Sequence, residues 1–142
     1  MRQAVIITAS LWALGGCQTA VAASPTTTPD TEVVEIDVTA TASQLGRLDN
    51  SHHLYVGVFD NRPRTAPVRI LAARTEDLSP ATNSYKVTLR VPVRHIRPDR
   101  NYVVRAEIRD RIGNPRFITA SPAPVRFEGQ PLAVNVAMVD VR

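Results

Sequence analysis

The sequence has 142 residues, of which 44% are hydrophobic and 21% charged, with 17 Lys and Arg against 13 Asp and Glu. This length and composition indicate one domain of ordinary size and exclude a disordered or fibrous chain. The single cysteine, Cys17, excludes an intramolecular disulfide and any metal site built from several cysteines.

Residues 1–16 have the three parts of an export signal. Arg2 gives a positive start, residues 4–14 are apolar but too short to span a bilayer as a helix, and small residues lead up to Cys17. The run Leu-Gly-Gly-Cys resembles a bacterial lipobox, which implies that Cys17 is acylated and becomes the first mature residue. Gln18 at the next position implies delivery to the outer membrane. An ordinary secretory signal that happens to contain a cysteine is the alternative.

Residues 17–31 are rich in Ala, Thr and Pro and show no apolar period, which predicts a flexible tether after the acylated Cys17. Several acyl chains hold a protein firmly at a membrane. We therefore expect a lipid-anchored protein at the periplasmic face of the cell outer membrane. An acylated cysteine is neither a nucleophile nor a metal ligand.

Residues 32–142 show apolar residues with a period of two, which predicts half-buried strands. The strongest segments are residues 34–38, 54–58, 85–91, 102–108 and 132–138, and weaker ones are 68–74 and 116–120. Turn residues separate them, residues 110–115 read as a hairpin loop, and residues 93–97 are suited to one short turn. The predicted fold is all-β: a small antiparallel β-sandwich, or flattened barrel, of about seven strands.

The residue types needed for catalysis do not occur in a catalytic pattern. His52 and His53 are adjacent and would point to opposite faces of a strand, and His95 is distant from them in the sequence. The chain has no G-x-S-x-G motif, no glycine-rich phosphate loop and no metal-ligand spacing. We predict no enzyme activity, no cofactor and no metal site.

The basic residues form two groups along the sequence. They are Arg62, Arg64, Arg69 and Arg74 in one region, and Arg90, Arg94, Arg97 and Arg100 in another. A solvated face of alternating strands, anionic lipid head groups and an acidic protein surface remain as interpretations. Nucleic acid is excluded as a partner because the chain is exported and no aromatic residues are interleaved with the arginines.

Apolar residues that break the alternation are candidates for contact with a partner. Such residues pack against a loop or a second sheet, or they form a groove for an amphipathic helix or an extended strand. The candidates are Leu45, Leu48, Tyr55, Phe59 and Ile112.

The segment 96–108 reads Ile-Arg-Pro-Asp-Arg-Asn-Tyr-Val-Val-Arg-Ala-Glu-Ile, and Gly113 and the run Arg-Phe-Ile-Thr at 116–119 follow it. This pattern resembles the small lipoproteins of the type III secretion pilotin (YscW-like) family. The resemblance covers residues 34–141 together with the lipobox. Residues 45–53 and 62–74 depart from the family pattern.

The resemblance implies a β-sandwich that binds the C-terminal segment of a secretin subunit, travels by the lipoprotein sorting machinery and promotes ring assembly in the outer membrane. It marks no catalytic residue. Two alternatives stay open. One is a general structural or stress-related envelope lipoprotein of the same fold without a secretin partner, and the other is a carrier of a small ligand between the sheets.

Overall fold

The computed structural model describes residues 32–43, 45, 48–62, 65–78, 82–129 and 131–141. The predicted signal 1–16, Cys17 and the tether 17–31 lie outside the described residues, as does Arg64. The described residues form eight strands: β1 (Val33–Thr41), β2 (His52–Asp60), β3 (Ile70–Asp77), β4 (Ser84–Pro92), β5 (Tyr102–Asp110), β6 (Pro115–Thr119), β7 (Ala123–Val125) and β8 (Leu132–Asp140). One 3-10 turn, Val93–His95, follows β4 at the predicted place.

The strands form one strongly curved sheet in the order β3-β2-β5-β6-β8-β1-β4, and β7 also pairs with β5. The outermost strands β3 and β4 lie next to each other, so the sheet nearly closes into a flattened barrel. The all-β prediction is therefore confirmed. The long strand β8 joins two halves of the sheet, one formed by β3, β2, β5 and β6 and the other by β1 and β4. Its first part pairs with β1 and its last part pairs with β6.

Two features of the sheet differ from the prediction. The β1–β8 pair is parallel, with Ile36 opposite Leu132, whereas every other pair is antiparallel among the described residues. The eighth strand is β7, which has three residues and is too short for alternation to reveal. The alternation of apolar and polar residues indicates which face of a strand is buried, but it does not indicate the direction of the partner strand.

The core fills the space between the two halves of the sheet. The predicted alternation is confirmed, since one face of each long strand supplies the buried side chains. These include Ile36 and Val38 of β1, Leu54, Val56 and Val58 of β2, Val87, Leu89 and Val91 of β4, Tyr102, Val104 and Ile108 of β5, and Val136 of β8. All the described core residues lie between Ile36 and Met138, so a chain that starts at Ser24 keeps every described strand and core residue.

The predicted hairpin joins β5 to β6 at residues 110–115. The Asp110 carboxylate accepts hydrogen bonds from the backbone N–H groups of Ile112 at 3.0 Å and Asn114 at 2.9 Å. Gly113 has a φ of 89°, a conformation that side chains with a Cβ rarely adopt. The pKa of Asp110 is lowered, mainly by the hydrogen bond that its carboxylate accepts from the Asn114 backbone N–H. This loop holds Ile112 at the tip of the hairpin.

Among the described residues, no helix has the length and apolar character that a membrane crossing requires.

Candidate functional site

The five predicted contact residues occupy three different environments. Leu45 is 1% exposed and belongs to the core, and Leu48 is half-buried against that core. Ile112 is 84% exposed at the hairpin tip. Tyr55 and Phe59 are half-buried on the outer face of β2. The fold brings Tyr55 and Phe59 to one face, whereas Ile112 lies at the end of the domain that also holds the start of β2.

Arginines from the neighbouring strand cover the outer face of β2. The Arg109 guanidinium lies 5.6 Å from the centre of the Tyr55 ring, and the Arg105 guanidinium lies 5.6 Å from that of Phe59. Such cation–π contacts hold the guanidinium stems against the rings. The face therefore presents charge to its surroundings over an aromatic layer.

A groove lies at the end of β5 that is opposite to the hairpin. Its two walls are residues 96–101, which precede β5, and residues 126–128, which follow β7. The walls meet because Tyr102, the first residue of β5, is opposite Val125, the last residue of β7. The groove has a volume of about 350 Å³.

The floor of this groove is aromatic and held in place. Tyr102 is 4% exposed, and its hydroxyl oxygen accepts a hydrogen bond from the Arg97 backbone N–H at 2.8 Å. The Phe127 ring packs edge-to-face on the Tyr102 ring, with centroids 5.3 Å apart and an interplanar angle of 78°. Ile96 packs against the core beside them. The floor is apolar, and these contacts hold its rings in place.

The mouth of the groove carries mainly positive charge. Arg97, Arg100 and Arg126 line it and are exposed, and Glu128 is the one acidic residue among the described lining residues. Arg100 approaches the Asp99 carboxylate at 3.6 Å. Arg97 and Arg126 have no carboxylate within ion-pairing distance in the part of the chain that the structure describes. An apolar floor beneath free guanidinium groups is suited to a ligand with an apolar group next to a carboxylate.

Three arginines of the two predicted basic groups pair closely with carboxylates. Arg62 pairs with Asp60 at 2.6 Å, Arg90 pairs with Glu35 at 3.0 Å, and Arg74 pairs with Glu76. Arg97 and Arg100 of the second group reach the groove, where Arg126 joins them from a distant part of the sequence. No pattern in the sequence marks Arg126 or Phe127, because both follow the short strand β7.

Two of the three histidines, His52 and His53, take part in hydrogen bonds near the surface. His52 Nδ1 lies 2.8 Å from Asp49 Oδ1, and His53 Nδ1 lies 2.8 Å from Asp77 Oδ1. Hydrogen bonds from the Ser51 side chain and backbone, and then from His52, lower the pKa of Asp49 from 3.8 to about 2. The described residues contain no group of three or more side chains that could hold a metal ion. The hydrogen bonds among Asp49, Ser51 and His52 stabilise the turn that leads into β2.

No family model and no curated protein sequence matches this chain. Among solved structures, it is similar to an alternative pilotin from the type II secretion system of Vibrio cholerae. The two are 20% identical with a TM-score of 0.67, and the match covers 78% of this chain and 99% of that one. The domain therefore has a pilotin-like fold.

Proposed function

We propose that this protein is a non-enzymatic pilotin, anchored to the outer membrane through an acylated Cys17, that binds the C-terminal segment of a secretin subunit and assists its targeting and ring assembly. The observation that carries the proposal is the similarity of nearly the whole domain to an alternative pilotin. The lipobox-like end of the signal supplies the anchor, and the sequence pattern at 96–119 supplies an independent resemblance to pilotins.

The groove at the start of β5 is the surface that we assign to this role. It has an apolar floor that internal contacts hold in place, and one of its walls, residues 96–101, lies in the segment that carries the sequence resemblance. A preformed site reduces the ordering cost on the pilotin side, so that cost falls mainly on the disordered partner segment. The outer face of β2 is the second surface to test, because Tyr55 and Phe59 lie there under arginines.

The type of secretion system is part of the proposal. The sequence pattern resembles type III pilotins, which favours a type III secretin, whereas the similar solved structure comes from a type II system. The test therefore uses synthetic C-terminal peptides from every secretin that the native genome encodes. Calorimetric titration of the chain from Ser24 onward should give saturable one-to-one binding to one of them.

A genetic experiment tests the same role in the cell. Deletion of the gene should reduce the amount of that secretin's multimer in the outer membrane, and the wild-type gene should restore it. If a well-folded domain binds none of the peptides and the multimers are unchanged in the deletion strain, the pilotin proposal is wrong. The protein would then be an envelope lipoprotein that shares the fold without a secretin partner.

A further inference from the structure

We infer that the groove between residues 96–101 and 126–128 recognises an acidic segment, seating one large apolar side chain on Tyr102 and Phe127 while flanking carboxylates pair with Arg97 and Arg126. This inference rests on the proposed function for the identity of the partner, a secretin segment, and it adds the chemistry that the segment must have. The contacts of Tyr102 and Phe127 define the apolar floor, and the lining arginines define the charged mouth.

The size and rigidity of the floor determine what can enter it. A volume of about 350 Å³ is near the lower end of the range for ligand pockets, so the groove holds one or two side chains of a longer segment. The ring of Tyr102 is fixed on one side by Phe127 and at its hydroxyl by the Arg97 backbone. Tyr102 is only 4% exposed, so the surface offered to a ligand is mainly the half-buried Phe127 ring, which Tyr102 supports from below.

The charges at the mouth determine what flanks the apolar side chain. Arg97 approaches from the wall that precedes β5 and Arg126 from the wall that follows β7, so guanidinium groups stand on both sides of the floor. Elsewhere in the described chain, Arg62, Arg74, Arg90, Arg109 and Arg116 each have a carboxylate partner, whereas Arg69, Arg105 and Arg111 have none among the described residues. Arg97 and Arg126 differ from those three because they lie beside an apolar floor. The free guanidinium groups at the groove favour carboxylates and disfavour a basic segment.

A membrane surface would satisfy the arginines and leave the floor unused. Anionic lipid head groups bring no apolar side chain of the size of this groove, whereas an acidic segment with an apolar residue satisfies both features. The structure therefore favours a peptide over a lipid surface as the occupant.

The chain offers a clean optical probe for this site. Its single tryptophan is Trp12, so a chain that starts at Ser24 contains none. Phe127→Trp in that chain places the one tryptophan in the groove floor and keeps an aromatic ring there. Its emission should shift when a tryptophan-free peptide enters the groove.

Two probes separate this inference from the proposed function. The first is the secretin C-terminal peptide that binds in calorimetry, compared with a version in which its Asp and Glu are changed to Asn and Gln, and with a C-terminally amidated version. The second is a blocked synthetic peptide with a central Leu between Glu residues, which does not depend on any secretin. Both are titrated into the Phe127→Trp chain and into variants that also carry Arg97→Gln and Arg126→Gln. Arg111→Gln, an exposed arginine at the opposite end of the domain, is the matched control.

We expect binding of both peptides to weaken about tenfold in the Arg97→Gln, Arg126→Gln double variant and to be unchanged in Arg111→Gln. Affinity should also fall with added salt and with the Asn and Gln peptide. Equal binding of the secretin peptide by all variants, without a change in emission, would keep the pilotin role and overturn this inference. No binding of the synthetic acidic peptide to a folded domain would also overturn it.

Two other results would assign the arginines differently. If amidation abolishes binding while the Asn and Gln peptide binds normally, the groove recognises a terminal carboxylate and the acidic-segment inference is wrong. If phosphatidylglycerol vesicles bind through Arg97 and Arg126 and the peptides do not, the arginines serve the membrane and the inference is also wrong. Failure of the secretin peptide alone, with the synthetic peptide bound in the groove, would count against the proposed partner and support the acidic-segment chemistry.

Discussion

The Thr119 hydroxyl acts as a backbone partner for Ala106. Its oxygen accepts a hydrogen bond from the Ala106 N–H at 2.6 Å, and the hydroxyl donates to the Ala106 carbonyl oxygen at 2.8 Å. Ala106 is fully buried in the middle of β5. The residues that precede it in β5 pair with β7, and the residues that follow it pair with β6. One side chain therefore fills the gap where neither strand supplies a ladder bond.

Removal of this hydroxyl should destabilise the domain. Thr119→Val keeps the shape of the side chain but leaves the edge N–H and C=O of Ala106 without a partner, which costs about 1–3 kcal/mol in the free energy of unfolding. Chemical denaturation of the chain from Ser24 onward measures this. The control is Thr88→Val, whose hydroxyl bonds to the exposed Asp37 carboxylate at 2.7 Å and should matter much less. Equal stability of the two variants would contradict this role for Thr119.

The strands could be predicted from the sequence because burial on one face imposes a period of two. Val38 and Leu89 show this, since each lies between polar neighbours and is buried. The pairing of strands could not be predicted in the same way. The parallel alignment of Ile36 with Leu132 joins residues from the two ends of the domain, and no local pattern reports such a contact. Thr119 ends the Arg-Phe-Ile-Thr run at 116–119 that belongs to the resemblance, and its hydrogen bonds to Ala106 give that residue a structural role.

Tyr102 should contribute to stability in two separable ways. Tyr102→Ala removes a buried aromatic ring and should lower the free energy of unfolding by about 3–5 kcal/mol. Tyr102→Phe keeps the ring and removes only the acceptor for the Arg97 N–H, which should cost about 1 kcal/mol. Thermal and chemical denaturation measure both values. An unchanged melting temperature in Tyr102→Ala would place Tyr102 outside the core.

Only one wall of the candidate groove could be predicted from the sequence. Arg97 and Tyr102 lie in the segment that carries the resemblance, so the sequence directed attention to one wall. Arg126 and Phe127 form the other wall, and they reach it through a strand of three residues that has no clear alternation. Tyr55, one of the apolar residues that break the alternation, lies on the outer face of β2, but its cover by Arg109 depends on which strand lies beside β2, and the sequence does not specify this.

Gly57 makes room for the Phe59 ring. A Cβ atom at Gly57 would lie 2.9 Å from Phe59 Cε2 and 3.4 Å from the Ala72 carbonyl oxygen. Gly57→Ala should therefore displace the ring and lower the free energy of unfolding by about 1–3 kcal/mol. In a Phe59→Leu background the same change should cost less, because the smaller side chain leaves space. The double-mutant cycle checks this coupling, and stabilisation by Gly57→Ala in the wild-type background would contradict it.

Asp49 should make stability depend on pH at the acid end. Its pKa is lowered to about 2 by Ser51 above all and then by His52, so the folded state favours the carboxylate. A lowered pKa stabilises the fold above the unfolded value of 3.8, and this contribution disappears as the pH falls from about 4 to about 2. Asp49→Asn should therefore melt below wild type at pH 6, and the two should converge near pH 2.

The control for Asp49 is Glu128→Gln. Glu128 is an exposed carboxylate with no hydrogen bond to other described residues, so its removal should leave the difference from wild type small across the same pH range. A constant offset between Asp49→Asn and wild type from pH 6 to pH 2 would show that the side chain acts through something other than its charge.

Cys17 should decide where the domain resides and leave its fold unchanged. Every described core residue lies beyond position 35, so Cys17→Ser should not alter the melting temperature of the domain. In a strain that lacks the secretin, the protein without its acyl chains should be absent from the outer-membrane fraction, because neither lipid nor partner then holds it there. Cell fractionation and immunoblotting measure this, and a chain with a cleavable secretory signal in place of residues 1–17 controls for export. Retention of Cys17→Ser in the outer-membrane fraction would contradict lipid anchoring at this residue.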